Sequence, residues 1–239
     1  VLILAIETAA GAVGAAVSRD GEVLASEQCM STRQHAELLT PLVQRVCEAA
    51  DIVLRSLDVV AVDLGPGLFT GLRVGIATAL GVAYASGAPL VGVSSLDLLA
   101  EGAMDDVHGP EDAPRIVAAL DARRGEVFSG TYAVGVDGPV LVSDYSVGSP
   151  RLLAEQIMSW DEMTFLVGDA VDRYGDTLVI DGRVRSGGSA HHDPRADVLA
   201  RVGYARAKAG HLLAPSALTP LYLRSPDIDR TWLDKQPRP

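Results

Sequence analysis

The stretch DLGPGLFTGLRVG, Asp63 to Gly75, comes nearest in residue type and spacing to a working site. It follows the apolar run Val59 to Val62 and leads into a helical pattern. A glycine turn between a strand and a helix aims free N–H groups and the positive end of a helix dipole at one point, which suits a phosphate. Gly65, Gly67 and Gly71, however, give G-x-G-x-x-x-G, neither the dinucleotide fingerprint nor a P-loop, and no Gly-Lys-Ser/Thr follows. Gly65 and Gly67 are therefore weak candidates for contact with a nucleotide, set against a merely tight turn stiffened by Pro66. Glu7-Thr8 closes another apolar run, where nucleotide hydrolases and kinases often set an acid. The following Ala9-Ala10-Gly11-Ala12 supplies no Lys, Ser or second acid, so a plain strand-end carboxylate is the simpler reading of Glu7.

Other chemistry finds little support. His191-His192 are adjacent and cannot meet on one helical face as i and i+4 residues do; beside Gly187-Gly188 and Asp193 they read as solvated loop. His35 stands near Arg33 at a helix start, suited to capping or to contact with a partner, and His108 and His211 are isolated. No Gly-x-Ser-x-Gly elbow occurs, and Cys29 and Cys47 form no Cys-x-x-Cys pair and read as reduced thiols. Arg123-Arg124 in LDARRGEV could meet an anion or decorate an exposed hairpin. No catalytic residue and no metal ligand is assigned.

Charge bounds the partners. The formal net charge is −11. Residues 181–239 carry ten Lys/Arg against six Asp/Glu, which leaves −15 on the first 180. Gripping a nucleic acid backbone needs the opposite sign, so a basic partner, or one that itself holds the nucleic acid, fits better. No segment reaches the length of a membrane span and no basic leader precedes an apolar run, which implies a cytoplasmic protein.

The elements that must position these residues follow from periodicity. Val1 to Ile6, Ala12 to Ser18 and Glu22 to Gln28 read as three antiparallel strands, the last two joined by the hairpin signal Asp20-Gly21. His35 to Ala50 reads as a helix with Leu38, Leu39, Leu42, Val43 and Val46 on one face, kinked at Pro41. Leu57 to Val62 is a strand, Gly71 to Ser86 a helix stopped by Gly87, and Pro89 to Val93 a strand. The order β-β-β-α-β-α-β predicts an α/β protein of ribonuclease-H-like pattern, the actin-like and Hsp70-like ATPase fold, in two lobes of mixed sheet with flanking helices. The pattern lapses from Glu101 to Pro114. Residues 1–103, joined by 206–239, form one expected lobe and 104–205 a smaller second. In that second lobe strands are expected near Ile116 to Ala119, Gly125 to Val134, Pro139 to Ser143 and Phe165 to Val167. Helices are expected at Pro150 to Ser159 and Arg195 to Gly210, with a flexible loop from Arg183 to Asp193.

On the central helix Gly71, Gly75, Ala79 and Ala83 recur every four residues and form one smooth ridge, with Leu72 one position round. Glycine costs about 1 kcal/mol against alanine in a helix interior, so two on one ridge imply close backbone approach. Either an element of the same lobe or another subunit could make that approach.

The segments LAIETA, RQHAELLTPLV, DLGPGLFTGLRVGIATALGVAYASGAPLVGVSSLDLLA, LDARRGEVFSGTY, LVGDAVDRYGD and LTPLYLRSPD together resemble the TsaB (YeaZ) family, in order and over nearly the whole chain. That resemblance implies a non-catalytic paralogue of TsaD, serving as scaffold or activator for threonylcarbamoyl transfer to adenosine 37 of ANN-decoding tRNAs. The implied partners are TsaD in a heterodimer, TsaE in a ternary complex and a second copy of the chain when alone, with tRNA met through the complex and no membrane. ATP or ADP and metal would belong to the partner subunits or the complex interface, and no cofactor is expected on this chain alone. TsaD carries a His-x-x-x-His metal helix where this chain reads VGVSSLDLLAEG, with no histidine from Ser94 to Leu99. The resemblance also points to an interface of Gly71, Leu72, Gly75, Ala79 and Ala83 with His35, Leu38 and Leu42 from the preceding helix. Ser225 departs from a position where the family often has Arg, and the sequence starts at Val1. A free-standing ATPase or small-molecule kinase of the same superfamily is the alternative function, and a metallopeptidase a third that lacks its histidine pair.

Overall fold

Strand β1 (Leu2–Glu7) is buried along its whole length because helices cover both faces of its sheet. The computed structural model describes residues 1–31, 34–179 and 181–224; Arg33, Ser225 and the rest of the tail lie outside the described residues. β1 pairs antiparallel with β2 (Ala12–Arg19), which pairs antiparallel with β3 (Glu22–Met30). On its other side β1 runs parallel to β4 (Val59–Asp63), and β4 to β5 (Leu90–Val93), giving the order β3-β2-β1-β4-β5. The alternation of β1 then sorts its side chains: Leu2, Leu4 and Ile6 meet α1 (His35–Ala49) and α2 (Phe69–Ser86), while Ile3 and Ala5 meet α6 (Ala196–Lys208).

The second sheet repeats the plan. β6 (Arg115–Arg123) and β7 (Glu126–Gly135) form an antiparallel pair, with β8 (Gly138–Leu141) and β9 (Ser146–Gly148) on the outer side of β7. β10 (Thr164–Val167) lies parallel to β6, and β11 (Val184–Ser186) parallel to β10. The order β8-β7-β6-β10-β11 matches that of the first sheet, so the chain holds two copies of one topology without a repeat visible in its sequence. α3 (Ser95–Ala103) covers one face through Leu96, Leu99 and Ala100, and α4 (Pro150–Met158) and α5 (Ala170–Leu178) cover the other. Leu98 of α3 turns instead into the core of the first sheet beside α6, so this helix joins the lobes. A strap after α6 joins them again. Leu213 bridges to Leu90, Leu218 enters the first core, Leu221 N donates to Leu64 O at 2.7 Å, and Leu223 packs on the second core.

α1 runs from His35 to Ala49 with Pro41 inside it and exposed, so the helix does not start at that residue. Two expectations change. Residues 183–193 are built rather than loose: they supply β11, a short 3-10 turn and the buried His191. α3 and α5 were not foreseen, since the short α3 is apolar nearly all round and lacks a one-sided stripe.

Candidate functional site

The glycine turn is filled by the protein itself. Asp63 ends β4, Gly65 takes φ +96°, the Gly65–Pro66 peptide is cis, and α2 starts at Phe69. Against this turn lies the segment Thr8 to Ala10. Leu68 N donates to Ala9 O at 2.7 Å, the Thr8 hydroxyl donates to Gly71 O at 2.8 Å, and His35 Nε2 lies 3.2 Å from Ala10 O. A Cβ on Gly67 would stand 2.0 Å from Ala9 O, and one on Gly71 would stand 2.1 Å from Thr8 O. Carbonyl oxygens therefore occupy the hollow in which a phosphate would need N–H donors. Gly65 answers to its positive φ and Gly67 to close backbone packing.

The same geometry corrects the reading of the ridge. Gly71, Gly75, Ala79 and Ala83 are all buried inside the chain, the two glycines beneath Thr8 and the two alanines in the core shared with α1. Leu72, His35 and Leu42 are buried as well, and Leu38 is half-buried. The small residues expected to meet another subunit thus let β1's loop approach α2. The outward face of α2 carries Arg73, Ala77, Gly81 and Tyr84, the last 74% exposed. A Cβ on Gly81 would meet nothing within 4 Å. At the N-terminal end of this face Arg73 stacks 3.8 Å from the Phe69 ring, which in turn lies 5.6 Å from Tyr222 of the strap.

Behind the turn two carboxyl groups are fully enclosed. Glu7 Oε1 accepts from Ala9 N at 2.8 Å. Asp63 Oδ1 accepts from Gly65 N at 2.6 Å and from the Ser95 hydroxyl at 2.7 Å. Burial, then the charge of Asp63, raises the Glu7 pKa well above the usual carboxylate range, and burial raises Asp63 too. Ser94 caps α3 by accepting from Leu96 N, so the stretch from Ser94 to Leu99 is spent on capping, on Asp63, on core packing and, at Asp97, on accepting from Tyr132, Tyr145 and Arg206.

Across the cleft the β6–β7 turn places Arg123, Arg124 and Gly125 in succession at positive φ. Asp121, its side chain 4% exposed, accepts from Arg123 at 3.0 Å, Arg173 at 3.1 Å and the Tyr174 hydroxyl at 3.2 Å. Asp169 accepts from Asp121 N at 2.7 Å, and burial pushes its pKa up to about 6. Arg224 donates to Ala122 O and pairs with Glu126. Between the glycine turn, this hairpin and the strap lies a cavity of about 470 Å³, walled by Pro66, Phe69, Phe128, Leu221 and Tyr222 with Arg123 at its edge.

The histidines stay apart. His191 is buried, with Nε2 2.7 Å from Asp106 and its ring edge-on to Phe165; His192 Nδ1 lies 3.0 Å from Asp172. The solvated pair expected at 191–192 is instead two separate anchors to different elements. Among the described residues no group of three His, Cys, Asp or Glu could hold a metal ion, and Cys29 and Cys47 are unpaired. No helix there is long and apolar enough to cross a membrane. Sequence reasoning missed Asp63, Ser95, Asp121 and Asp169. Only Asp63 left a signal, as the acid that ends a strand ahead of the glycine turn.

Comparison with known proteins bears on this geometry. A family described as TsaD, tRNA N6-adenosine threonylcarbamoyltransferase, matches residues 25–138. The tRNA threonylcarbamoyladenosine biosynthesis protein TsaB of Escherichia coli K12 is 30% identical over 224 residues, 93% of this chain and 94% of that one. The solved structure of YeaZ from Pseudomonas aeruginosa superposes with a TM-score of 0.79 at 30% identity, covering 93% of this chain and 99% of that chain. An inorganic polyphosphate/ATP-glucomannokinase from an Arthrobacter strain, 10% identical with a TM-score of 0.53, covers 86% of this chain and 99% of its own and shares the fold alone.

Proposed function

The chain belongs to the TsaB family, and from that premise we propose that it serves tRNA threonylcarbamoyladenosine biosynthesis as a non-catalytic subunit. It acts in a complex with a TsaD homologue and TsaE, in the cytoplasm, as scaffold or activator for transfer to adenosine 37. The observation that carries this reading is the glycine turn packed with Thr8 O and Ala9 O, which leaves the fold's phosphate-facing geometry spent on internal packing. Nucleotide and metal are then the partners' to supply. The −11 charge supports a subunit that meets tRNA through the complex rather than alone.

The partner surface we assign is the outward face of α2, from Arg73 through Ala77 and Gly81 to Tyr84, with the neighbouring exposed face of α1. Ala77 and Gly81 allow a second helix to approach closely, and Tyr84 offers a large apolar anchor with a polar tip. The same surface serves a second copy of the chain when the partner is absent, so homodimer and heterodimer exclude each other. The test is co-purification with a TsaD homologue and TsaE, followed by a threonylcarbamoylation assay with and without this chain. Gly81→Arg, at a position where an added Cβ meets nothing within 4 Å, is expected to stay folded and to lose both dimer and heterodimer. Modification at full rate without the chain, or ATP hydrolysis by the chain alone at roughly 1–10 per second, would favour the free-standing enzyme instead.

A further inference from the structure

Two carboxyl groups meet at the ends of β1 and β4, and among the described residues no cation pairs with either. The parallel register Ile6↔Val62 brings the next residues, Glu7 and Asp63, side by side. They are 0% and 2% exposed. Each has one oxygen committed to donors, as described above, and each has the other, Glu7 Oε2 and Asp63 Oδ2, buried with no donor. Two bare carboxylate oxygens cannot share such a place, because both charges would be desolvated and would repel. One proton between them removes both costs.

We infer that Glu7 holds that proton at neutral pH and donates it from Oε2 to Asp63 Oδ2, acting as a positioning residue for the glycine turn that launches α2. The donor is Glu7 because Asp63 already receives two hydrogen bonds, from Gly65 N and Ser95 Oγ, that favour its charged form, whereas Glu7 receives one. The shared proton then closes a chain of contacts. It ties the end of β1 to Asp63, Asp63 to Gly65 of the turn, and Asp63 through Ser95 to the start of α3. Among the described residues, the groups that face the pair add no positive charge. Asp193, ahead of α6, lies toward Glu7 and accepts from Gly11 N at 2.9 Å; Asp97 of α3 lies toward Asp63 and is itself paired with Arg206. His35 of α1 reaches only Ala10 O.

A pKa raised in the folded state gives a definite sign. The stability due to this proton is full below the ordinary carboxylate pKa and is lost as pH rises toward the point where Glu7 ionises in the fold. The inference does not depend on which partner binds. It is tested on the purified full chain. Infrared spectroscopy at pH 7 is expected to show a protonated carboxyl C=O band that disappears in Glu7→Gln. In Glu7→Gln the amide keeps an N–H toward Asp63 and an oxygen toward Ala9 N. That variant is therefore expected to gain melting temperature over the wild type progressively as pH rises above the ordinary carboxylate range, whereas Glu7→Ala loses it. Adding Asp63→Asn to Glu7→Gln sets two amide donors face to face, and the double variant is expected to melt lower than either single one. A wild type without the band at pH 7, a band unchanged in Glu7→Gln, or a melting difference constant across pH would each overturn the assignment.

Discussion

Gly75→Ala separates internal packing from subunit contact most sharply. The added Cβ would stand 2.2 Å from Thr8 Oγ1. Thr8 must then turn away and give up its bond to Gly71 O. Leaving a buried hydroxyl unpaired costs about 1–3 kcal/mol, and overpacking adds about 1–3 kcal/mol. The gain in helix propensity returns about 1 kcal/mol. The net is a loss of about 3 kcal/mol, or a fall of roughly 6–12 °C in melting temperature for a chain of this size. Thr8→Ala removes the obstructing oxygen, since the next nearest Thr8 atoms lie 3.5 and 3.6 Å from the built Cβ. Thr8→Ala/Gly75→Ala should therefore be no less stable than Thr8→Ala alone, a coupling of at least about 3 kcal/mol. Gly71→Ala should not be rescued in this way, because its obstacle is the Thr8 carbonyl. Gly75→Leu, which a ridge turned toward another subunit would accept as a folded monomer, should fail to fold. The assay is urea and thermal unfolding of these five variants followed by circular dichroism. Gly75→Ala at wild-type stability, or a loss indifferent to residue 8, would refute the packing argument.

The remaining expectations are briefer. Gly81→Ala, on the exposed face of the same helix, should raise stability by about 0.4–1 kcal/mol in the same unfolding assay. Asp97 receives the Tyr132 and Tyr145 hydroxyls at 2.9 and 2.7 Å and Arg206 at 2.6 Å. Asp97→Ala should cost about 2–4 kcal/mol by leaving those donors without their shared acceptor. Burial and the Asp97 bond push the Tyr145 pKa up to about 12, so spectrophotometric titration should find this tyrosine un-ionised near pH 10. Asp169, raised to about 6 by burial, stabilises the fold most below the ordinary aspartate pKa and loses that contribution as pH climbs to about 6. Asp169→Asn keeps an oxygen for Asp121 N and should remove a slope of about 2–3 kcal/mol between roughly pH 4 and pH 6, read from urea midpoints.

What could be read from the sequence was whatever one local pattern decides. The alternation through β1 and β2, the Asp20-Gly21 hairpin, and the strand–turn–helix around Gly65 each state their geometry within a few residues, and the actin-like architecture follows from their order. α3 was hidden because it lies between the second sheet and α6 and is apolar toward both, so no single face marks it as a helix. The ridge was legible as close approach but not as to what approaches. A four-residue spacing of small side chains fixes a smooth stripe on a helix and is silent about the azimuth of that stripe relative to β1. Thr8 decides it: its carbonyl lies over position 71 and its hydroxyl over position 75, so both must lack side chains, and the glycines answer to residue 8, more than sixty positions earlier in the chain. The Glu7–Asp63 pair was illegible for the same reason. Each acid is unremarkable at its own strand end, and only the parallel register of β1 and β4 makes them share a space that one charge fits and two do not.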